Sequence, residues 1–386
     1  MTHIPYIDLR RQHLPIRDEI LSAIGRVIDH AGFILGEEVE QFEKEIAGYC
    51  GTKYAVGVNS GTDALFLSLK AYGIGQGDEV ITVPNSFLAT TSVIVAAGAR
   101  PVFVDVADDM NINPELIEEK LTTNTRAIMP VHLTGRPVDM GPIVEIAMAH
   151  NLVVIEDAAQ AIGAEYKGRK VGSLGDAGCF SLHPLKTLNA CGDGGVITTN
   201  NESLCRTLIQ LRNIGLKNRN ESDIWGYNSR LDTLQAAILL VKLKYLDLWI
   251  EQRRSNAEYY IEHLSDVVTT PVDRDSDRSA FHTFIIRTKK RDELQEYLER
   301  NGIGTRVHYP IPIHLQAAAQ SLGYKKGDFP VCERQAQTIL SLPIYQGLTE
   351  AELAYIVDRI KSFFCGAVRD ISARFRAPVG VLQHRS

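Results

Sequence analysis

Several features that would narrow the function early are missing from this chain. No run of uncharged apolar residues reaches the roughly 18 that a membrane-spanning helix needs. The opening Met1-Thr2-His3-Ile4-Pro5 carries neither the basic nor the apolar region of an export signal, so a cytoplasmic protein without a membrane anchor is expected. Charge of one sign is not in excess: 41 Lys and Arg stand against 47 Asp and Glu, a net −6, which argues against a nucleic-acid partner. The six cysteines are scattered, with no CxxC pair and no finger-like spacing. Free thiols in a reducing compartment are expected rather than a disulfide framework or a zinc module. No internal repeat is evident.

What remains is ordinary globular material: 386 residues, 45% hydrophobic and 23% charged, with 30 Gly and 15 Pro. That length suits one large domain and a smaller one. Apolar residues at helical spacing mark Pro15 to Ile28 and Val39 to Ala47. Strand patterns then recur at Tyr54–Val58, Val80–Val83, Pro101–Val104, Arg126–Val131, Leu152–Ile155, Ala177–Phe180 and Gly195–Thr199. Helical patterns lie between them at Ala64–Ala71, Leu88–Ala97, Pro114–Lys120 and Val138–Ala149, and Glu202–Arg212 follows. This alternation predicts an α/β fold with a mostly parallel central sheet. A polar loop, 213–230, leads into one long helical stretch, Leu231–Leu264, followed by Phe281–Ile286 (strand), Arg291–Asn301 (helix), Thr305–His308 (strand) and Glu350–Phe364 (helix). The expected division is an N-terminal segment and large domain over 1–231, a linking helix and small α+β domain over 232–365, and a flexible tail over 366–386.

Four motifs carry chemistry. Asp157 and Gln160 follow the strand-like Leu152–Ile155, where an open α/β sheet presents ligand groups; they suit a polar heteroaromatic ring, or equally brace the next helix. Lys186 sits between Pro184 and the glycines of Gly192-Asp193-Gly194-Gly195, off any regular element. A lysine held there condenses with an aldehyde if its surroundings strip its proton, and otherwise is one more surface lysine. Gly61 and Thr62 open a helix and offer free amides to an anion, with Ser181 as a further donor if the turns converge; plain helix capping explains them too. Phe87 starts a helix after a strand and covers one face of a flat ring, or belongs to the core.

Taken together, Ser-Gly-Thr-Asp-Ala-Leu (60–65), Glu-Asp-Ala-Ala-Gln (156–160), Ser-x-x-Pro-x-Lys (181–186), Gly-Asp-Gly-Gly (192–195) and Gly-x-Asn-x-Arg (226–230) resemble the sugar-nucleotide aminotransferases of the DegT/DnrJ/EryC1/StrS family. The resemblance spans roughly residues 4 to 365 and implies a fold-type-I enzyme using pyridoxal 5′-phosphate. By it, Lys186 matches the lysine that bonds the cofactor, Asp157 the carboxylate paired with the pyridine nitrogen, Gln160 the amide near the ring hydroxyl, and Phe87 the stacking ring. Gly61, Thr62 and Ser181 match the phosphate cradle. Asn228 and Arg230 match a loop that reaches the neighbouring subunit's site, Asn228 toward phosphate and Arg230 toward the amino donor's carboxylate, which implies a homodimer with shared active sites. The segment Thr305–His314, with His308 and Tyr309, resembles relatives that aminate the 3-keto position of nucleotide-linked hexoses.

The implied activity is amino transfer from L-glutamate, leaving 2-oxoglutarate, to a keto-sugar nucleotide, preferentially a 3-keto hexose on UDP or dTDP. A 4-keto substrate and a noncatalytic binding or regulatory protein on the same fold are the alternatives. Some relatives carry histidine in place of the lysine and dehydrate their substrates; here Lys186 is present, and His183, three residues earlier, reads as a pocket-wall, packing or substrate-contact residue. Gly172–Gly178 lacks the spacing and context of a dinucleotide fingerprint. His308 and His314 flank two prolines without an acidic or cysteine third ligand, so no metal is expected.

Overall fold

A computed structural model of the chain describes residues 3–374, with side chains followed as far as Cys365. Three helices, α1 (Leu9–His13), α2 (Arg17–His30) and α3 (Glu37–Cys50), precede the first strand. Seven strands follow: β1 (Tyr54–Val58), β2 (Glu79–Thr82), β3 (Arg100–Phe103), β4 (Thr125–Ile128), β5 (Val153–Asp157), β6 (Ala177–Ser181) and β7 (Gly195–Thr199). They form one sheet in the order β1-β7-β6-β5-β4-β2-β3. β7 runs antiparallel to both its neighbours, and the other pairings are parallel. Such a sheet is buried on both faces, which is why its strands read as apolar runs.

Helices α4 (Gly61–Ala71), α5 (Leu88–Ala96), α6 (Met140–His150), α7 (Glu202–Leu211) and α8 (Thr233–Leu243) complete the layers. Leu65, Leu67 and Leu69 of α4, Val93 and Ile94 of α5 and Leu204 and Leu208 of α7 fill one face with Ile155 and Ile197. Phe42 and Ile46 of α3, Ile143 of α6 and Leu239 of α8 fill the other with Val154 and Val196. The long helical stretch expected over Leu231–Leu264 is broken at Lys244-Tyr245, so that α8 and α9 (Leu246–Leu264) are separate helices. The break lets α8 bury Ala237, Ile238 and Val241 against Ile20, Ala23 and Val27 of α2. By contrast, Ala257, Tyr260 and Leu264 of α9 join a second core.

That second core lies under a two-stranded antiparallel sheet, β8 (Phe284–Arg287) and β9 (Ile339–Leu342). Helices α10 (Arg291–Arg300), α11 (Pro330–Thr338) and α12 (Glu350–Arg374) surround this part of the chain. Of the segment 366–386 expected to be flexible, 366–374 continues α12, and the rest lies outside the described residues. The stretch expected as a strand at Thr305–His308 makes a single bridge, Arg306 to Ser341, because the chain there leaves the sheet edge for Pro310 and Pro312, which have no N–H to donate. β8 starts three residues later than its apolar pattern suggests, since Phe281 takes φ 44° and turns the chain. Pro114–Lys120 forms two short 3₁₀ turns instead of a helix.

β5 ends on two adjacent acids that, by strand alternation, face opposite ways. The Glu156 carboxylate is wholly buried and accepts the amides of Gly172 (2.8 Å), Leu174 (2.8 Å) and Gly175 (2.7 Å) and His132 Nε2 (3.0 Å). His132 Nδ1 accepts the Val138 amide at 2.9 Å, so the network assigns the ring proton to Nε2. The glycine-rich turn 172–175 is thus closed onto a side chain of its own fold. Glu156→Ala, which strands four buried donors, should cost about 3–5 kcal/mol in urea unfolding of the cofactor-free protein. A loss below about 1 kcal/mol would remove this carboxylate from the set of structural anchors.

Candidate active site

The turns that follow β1, β2, β5 and β6 meet His282, Thr283, His308 and Tyr309 of the C-terminal part around one pocket of about 330 Å³. A ligand site at the carboxyl ends of parallel strands follows from this sheet, because the strand-to-helix turns there are free to vary. Gly61, Thr62, Phe87, Asp157, Gln160, Ser181, His183, Lys186, His308 and Tyr309 all line it.

At the start of α4 the Ser60 hydroxyl accepts the Asp63 amide (3.1 Å) and the Ser60 carbonyl the Ala64 amide (2.9 Å). The amides of Gly61 and Thr62 remain without a protein acceptor among the described residues, aligned with the positive end of the helix. Ser181 lies against them: a Cβ on Gly61 would come within 2.6 Å of Ser181 Cβ. On the far side of the same turn, a Cβ on Gly195 would sit 2.2 Å from the Ser60 carbonyl oxygen. Both positions require glycine, and together they press three donors into one cradle.

The Asp157 carboxylate is buried, accepting Thr90 Oγ1 (2.7 Å) and the Ala159 amide (3.2 Å). Thr90 in turn shares a hydrogen bond with Ser86 (2.7 Å). Burial raises the Asp157 pKa above the ordinary carboxylate value, an effect opposed by the Thr90 and Ala159 hydrogen bonds and by the charge of Lys186. Lys186 is partly buried, and among the described residues its Nζ has no hydrogen-bond or ion-pair partner. Burial pushes its amine down to about 8, with Asp157 pulling the other way. The unprotonated amine, which this lowering makes more abundant, is the form that attacks a carbonyl.

Gln160 is oriented by two bonds, its Oε1 accepting the Thr134 amide (2.8 Å) and its Nε2 donating to Tyr309 Oη (3.4 Å). The Phe87 ring is 55% exposed and lies 6.1 Å from the Tyr309 ring, so it faces the pocket instead of the core. His308 Nδ1 meets Ser341 Oγ at 2.9 Å; burial, with Lys186 and Arg306 nearby, lowers its pKa to about 4. Tyr309 is pushed up to about 12, chiefly by burial. His308 and His314 do not converge, since His314 Nε2 meets Glu333 (3.0 Å).

Asn228 and Arg230 do not line this pocket. Asn228 is exposed, and Arg230 Nη1 donates to Asn213 Oδ1 (3.1 Å). Between them Ser229 is buried, donating to Asp63 Oδ2 (2.7 Å) and accepting the Asn59 amide (3.3 Å), which pins the loop beside the α4 start. His282, Thr283, Thr90 and Asp193 line the pocket without having been singled out from the sequence. His282 Nδ1 is buried without a partner among the described residues, and burial, then Lys186, Arg253 and the neighbouring histidines, holds the ring well below the usual histidine pKa. Its only sequence signal is its place just ahead of an apolar strand.

An amide and hydroxyl cradle for an anion, a buried carboxylate, a lysine that sheds its proton more readily than usual and an exposed aromatic ring around one cavity fit pyridoxal phosphate. Cofactor-free protein should take it up at a rate that climbs as Lys186 loses its proton, through about pH 8, and levels off above. Asp157→Asn removes the charge that retains that proton and should move the midpoint to lower pH. Stopped-flow absorbance checks both, and a midpoint that stays put in the variant would detach Asp157 from the lysine.

Comparison with known proteins agrees with this geometry. The sequence profile of the DegT/DnrJ/EryC1/StrS aminotransferase family matches residues 15–361. The chain is 46% identical over 367 residues to a pleiotropic regulatory protein of Geobacillus stearothermophilus, covering 94% of this chain and 99% of that one. It is 45% identical over 362 residues to dTDP-3-amino-3,6-dideoxy-alpha-D-galactopyranose transaminase of Aneurinibacillus thermoaerophilus, covering 93% and 99%. Among solved structures, NtdA of Bacillus subtilis, with its cofactor PMP bound, superposes at a TM-score of 0.88 with 32% identity, covering 94% of this chain and 85% of that one. The fold is that of the fold-type-I aminotransferases, and the chain belongs to the DegT/DnrJ/EryC1/StrS aminotransferase family.

Proposed function

We propose that this chain, as a cytoplasmic homodimer, transfers the amino group of L-glutamate to the 3-keto carbon of a hexose linked to UDP or dTDP. It is a pyridoxal-phosphate-dependent aminotransferase acting on sugar nucleotides, as its family membership entails. The observation that carries the reading is a Lys186 amine lowered to about 8 and a buried Asp157 facing one pocket beside an anion cradle.

When bound, pyridoxal phosphate supplies the carbonyl that carries the amino group and a ring that takes up charge from the reacting carbon. The chain's own residues do the rest. Gly61, Thr62 and Ser181 would hold its phosphate, with Phe87 over the ring. Asp157 would favour positive charge on the ring nitrogen, and Gln160 would orient the ring hydroxyl. Lys186 Nζ takes the α-proton of the amino donor and later delivers a proton to the sugar carbon that receives nitrogen. His183, His308 and Tyr309 flank the space left for the sugar, with His308 neutral at physiological pH and able to accept a hydrogen bond. The six free thiols agree with a reducing compartment.

The preference for C3 rests on the His308-Tyr309-Pro310 segment and is supported by the 3-amino product in the name of the Aneurinibacillus relative. A panel of 3-keto and 4-keto sugars on UDP and dTDP, presented to the amino-loaded enzyme with products identified by NMR, should return a 3-amino sugar; exclusive 4-amination would overturn the regiochemistry.

The exposed position of Asn228 and the separation of Arg230 from its own chain's pocket support a site completed by the neighbouring subunit. A Lys186→Ala protomer paired with an Arg230→Ala protomer then has one site with both residues intact. Purified mixed dimers should regain about half of wild-type activity, by the symmetry of a two-fold assembly. Inactive mixed dimers would put Lys186 and Arg230 in the same chain's site, or Arg230 outside catalysis.

A further inference from the structure

Behind the pocket lies a second buried lysine that the reaction does not use. Lys242 of α8 is fully shielded from solvent. Its Nζ donates to the Asn189 carbonyl (2.8 Å), to Asn189 Oδ1 (2.6 Å) and to His13 Nε2 (3.0 Å). No carboxylate lies within ion-pair distance among the described residues. Burial pushes its amine down to about 8, and burial with Lys242 nearby lowers the pKa of His13, which favours the neutral ring that accepts from Lys242 in the tautomer with Nε2 unprotonated. An ammonium group taken out of water without a counter-charge is costly, and its three donors are all committed to this one cluster.

Asn189 passes the constraint on. With both its oxygens occupied by Lys242, its Nδ2 donates to the Lys186 carbonyl (2.8 Å) and to Gln12 Oε1 (2.9 Å). Gln12 Nε2 returns to the Thr187 carbonyl (3.3 Å). One residue before Gln12, Arg11 bonds both carboxylate oxygens of Glu352 on α12 (2.7 Å each) and the Gly347 carbonyl (2.7 Å). The loop around Lys186 is therefore tied on one side to α8 and on the other, through α1, to the C-terminal layer.

We propose that Lys242 is a positioning residue for Lys186: by engaging both oxygens of Asn189 it aims the Asn189 amide at the Lys186 carbonyl and fixes the backbone from which the reacting amine projects. The inference rests on Lys186 being the cofactor lysine.

Two holoenzyme variants test it. Lys242→Met keeps the side-chain length and removes the ammonium. Asn189→Asp keeps the oxygen acceptors for Lys242, now with a negative charge, and removes the Nδ2 donor shared by the Lys186 carbonyl and Gln12. Each should lower kcat roughly 10- to 100-fold with KM for donor and acceptor within about threefold, as a small misplacement of the reacting group does. Each should also move the pH midpoint of the cofactor absorbance by about half a unit or more, a readout of the Lys186 environment that a purely structural role would leave alone. Wild-type kcat and midpoint in Asn189→Asp, whatever happens to thermal stability, overturn the inference, and that variant decides alone if Lys242→Met does not fold. Borohydride reduction and peptide mapping of the wild-type holoenzyme separate the two levels. A pyridoxyl group on Lys186 upholds the reading beneath; one on another lysine overturns both.

Discussion

Asp157 and Lys186 are two groups of opposite ordinary charge, drawn partly or wholly out of water around one pocket, with no ion pair joining them. That withheld pairing is the constraint on which the rest of the site depends. Had the two closed on each other, the lysine would be a protonated partner and the acid a spent one. The fold prevents this by giving Asp157 other partners, Thr90 and Ala159, and by anchoring the Lys186 backbone through Asn189. Each group then stays available to a ligand, and burial tunes each toward its less charged form.

β5 also shows how a sheet separates support from chemistry. Glu156 and Asp157 are neighbours in sequence and both are buried, yet the alternation of the strand sends them to opposite sides. Glu156 is saturated with donors from a glycine-rich turn and from His132, and it has nothing left to offer. Asp157 has fewer donors and lines a cavity. The same chemical group serves the fold on one face and the reaction on the other, distinguished by how fully its oxygens are used.

The large sheet was legible because its strands are apolar runs bounded by turn residues, and the motif residues were legible because they sit in the turns that such strands must make. Gly61, Asp157 and Lys186 could be singled out for that reason. Legibility fell where tertiary contacts decide. The long apolar pattern from Leu231 to Leu264 gives no sign of the break at Tyr245, since both halves are helical and only their packing partners differ. His282 reaches the pocket because Phe281 adopts a left-handed backbone, a choice that nothing in Ser279-Ala280-Phe281-His282 demands. Lys242 reads as one charged position on an amphipathic helix, and its burial depends on His13 and Asn189, more than fifty residues away on either count.

Ile4 forms a bridge with Ile303, donating to the Gly302 carbonyl (2.8 Å) and accepting from the Gly304 amide (2.8 Å), and Arg11 reaches Glu352. These contacts join the segment ahead of α2 to the C-terminal layer, with the lysine loop held beside them through Gln12. Because Gln12 directly follows Arg11, a disturbance of α12 at Glu352 can reach the lysine loop along α1 without passing through the seven-stranded sheet.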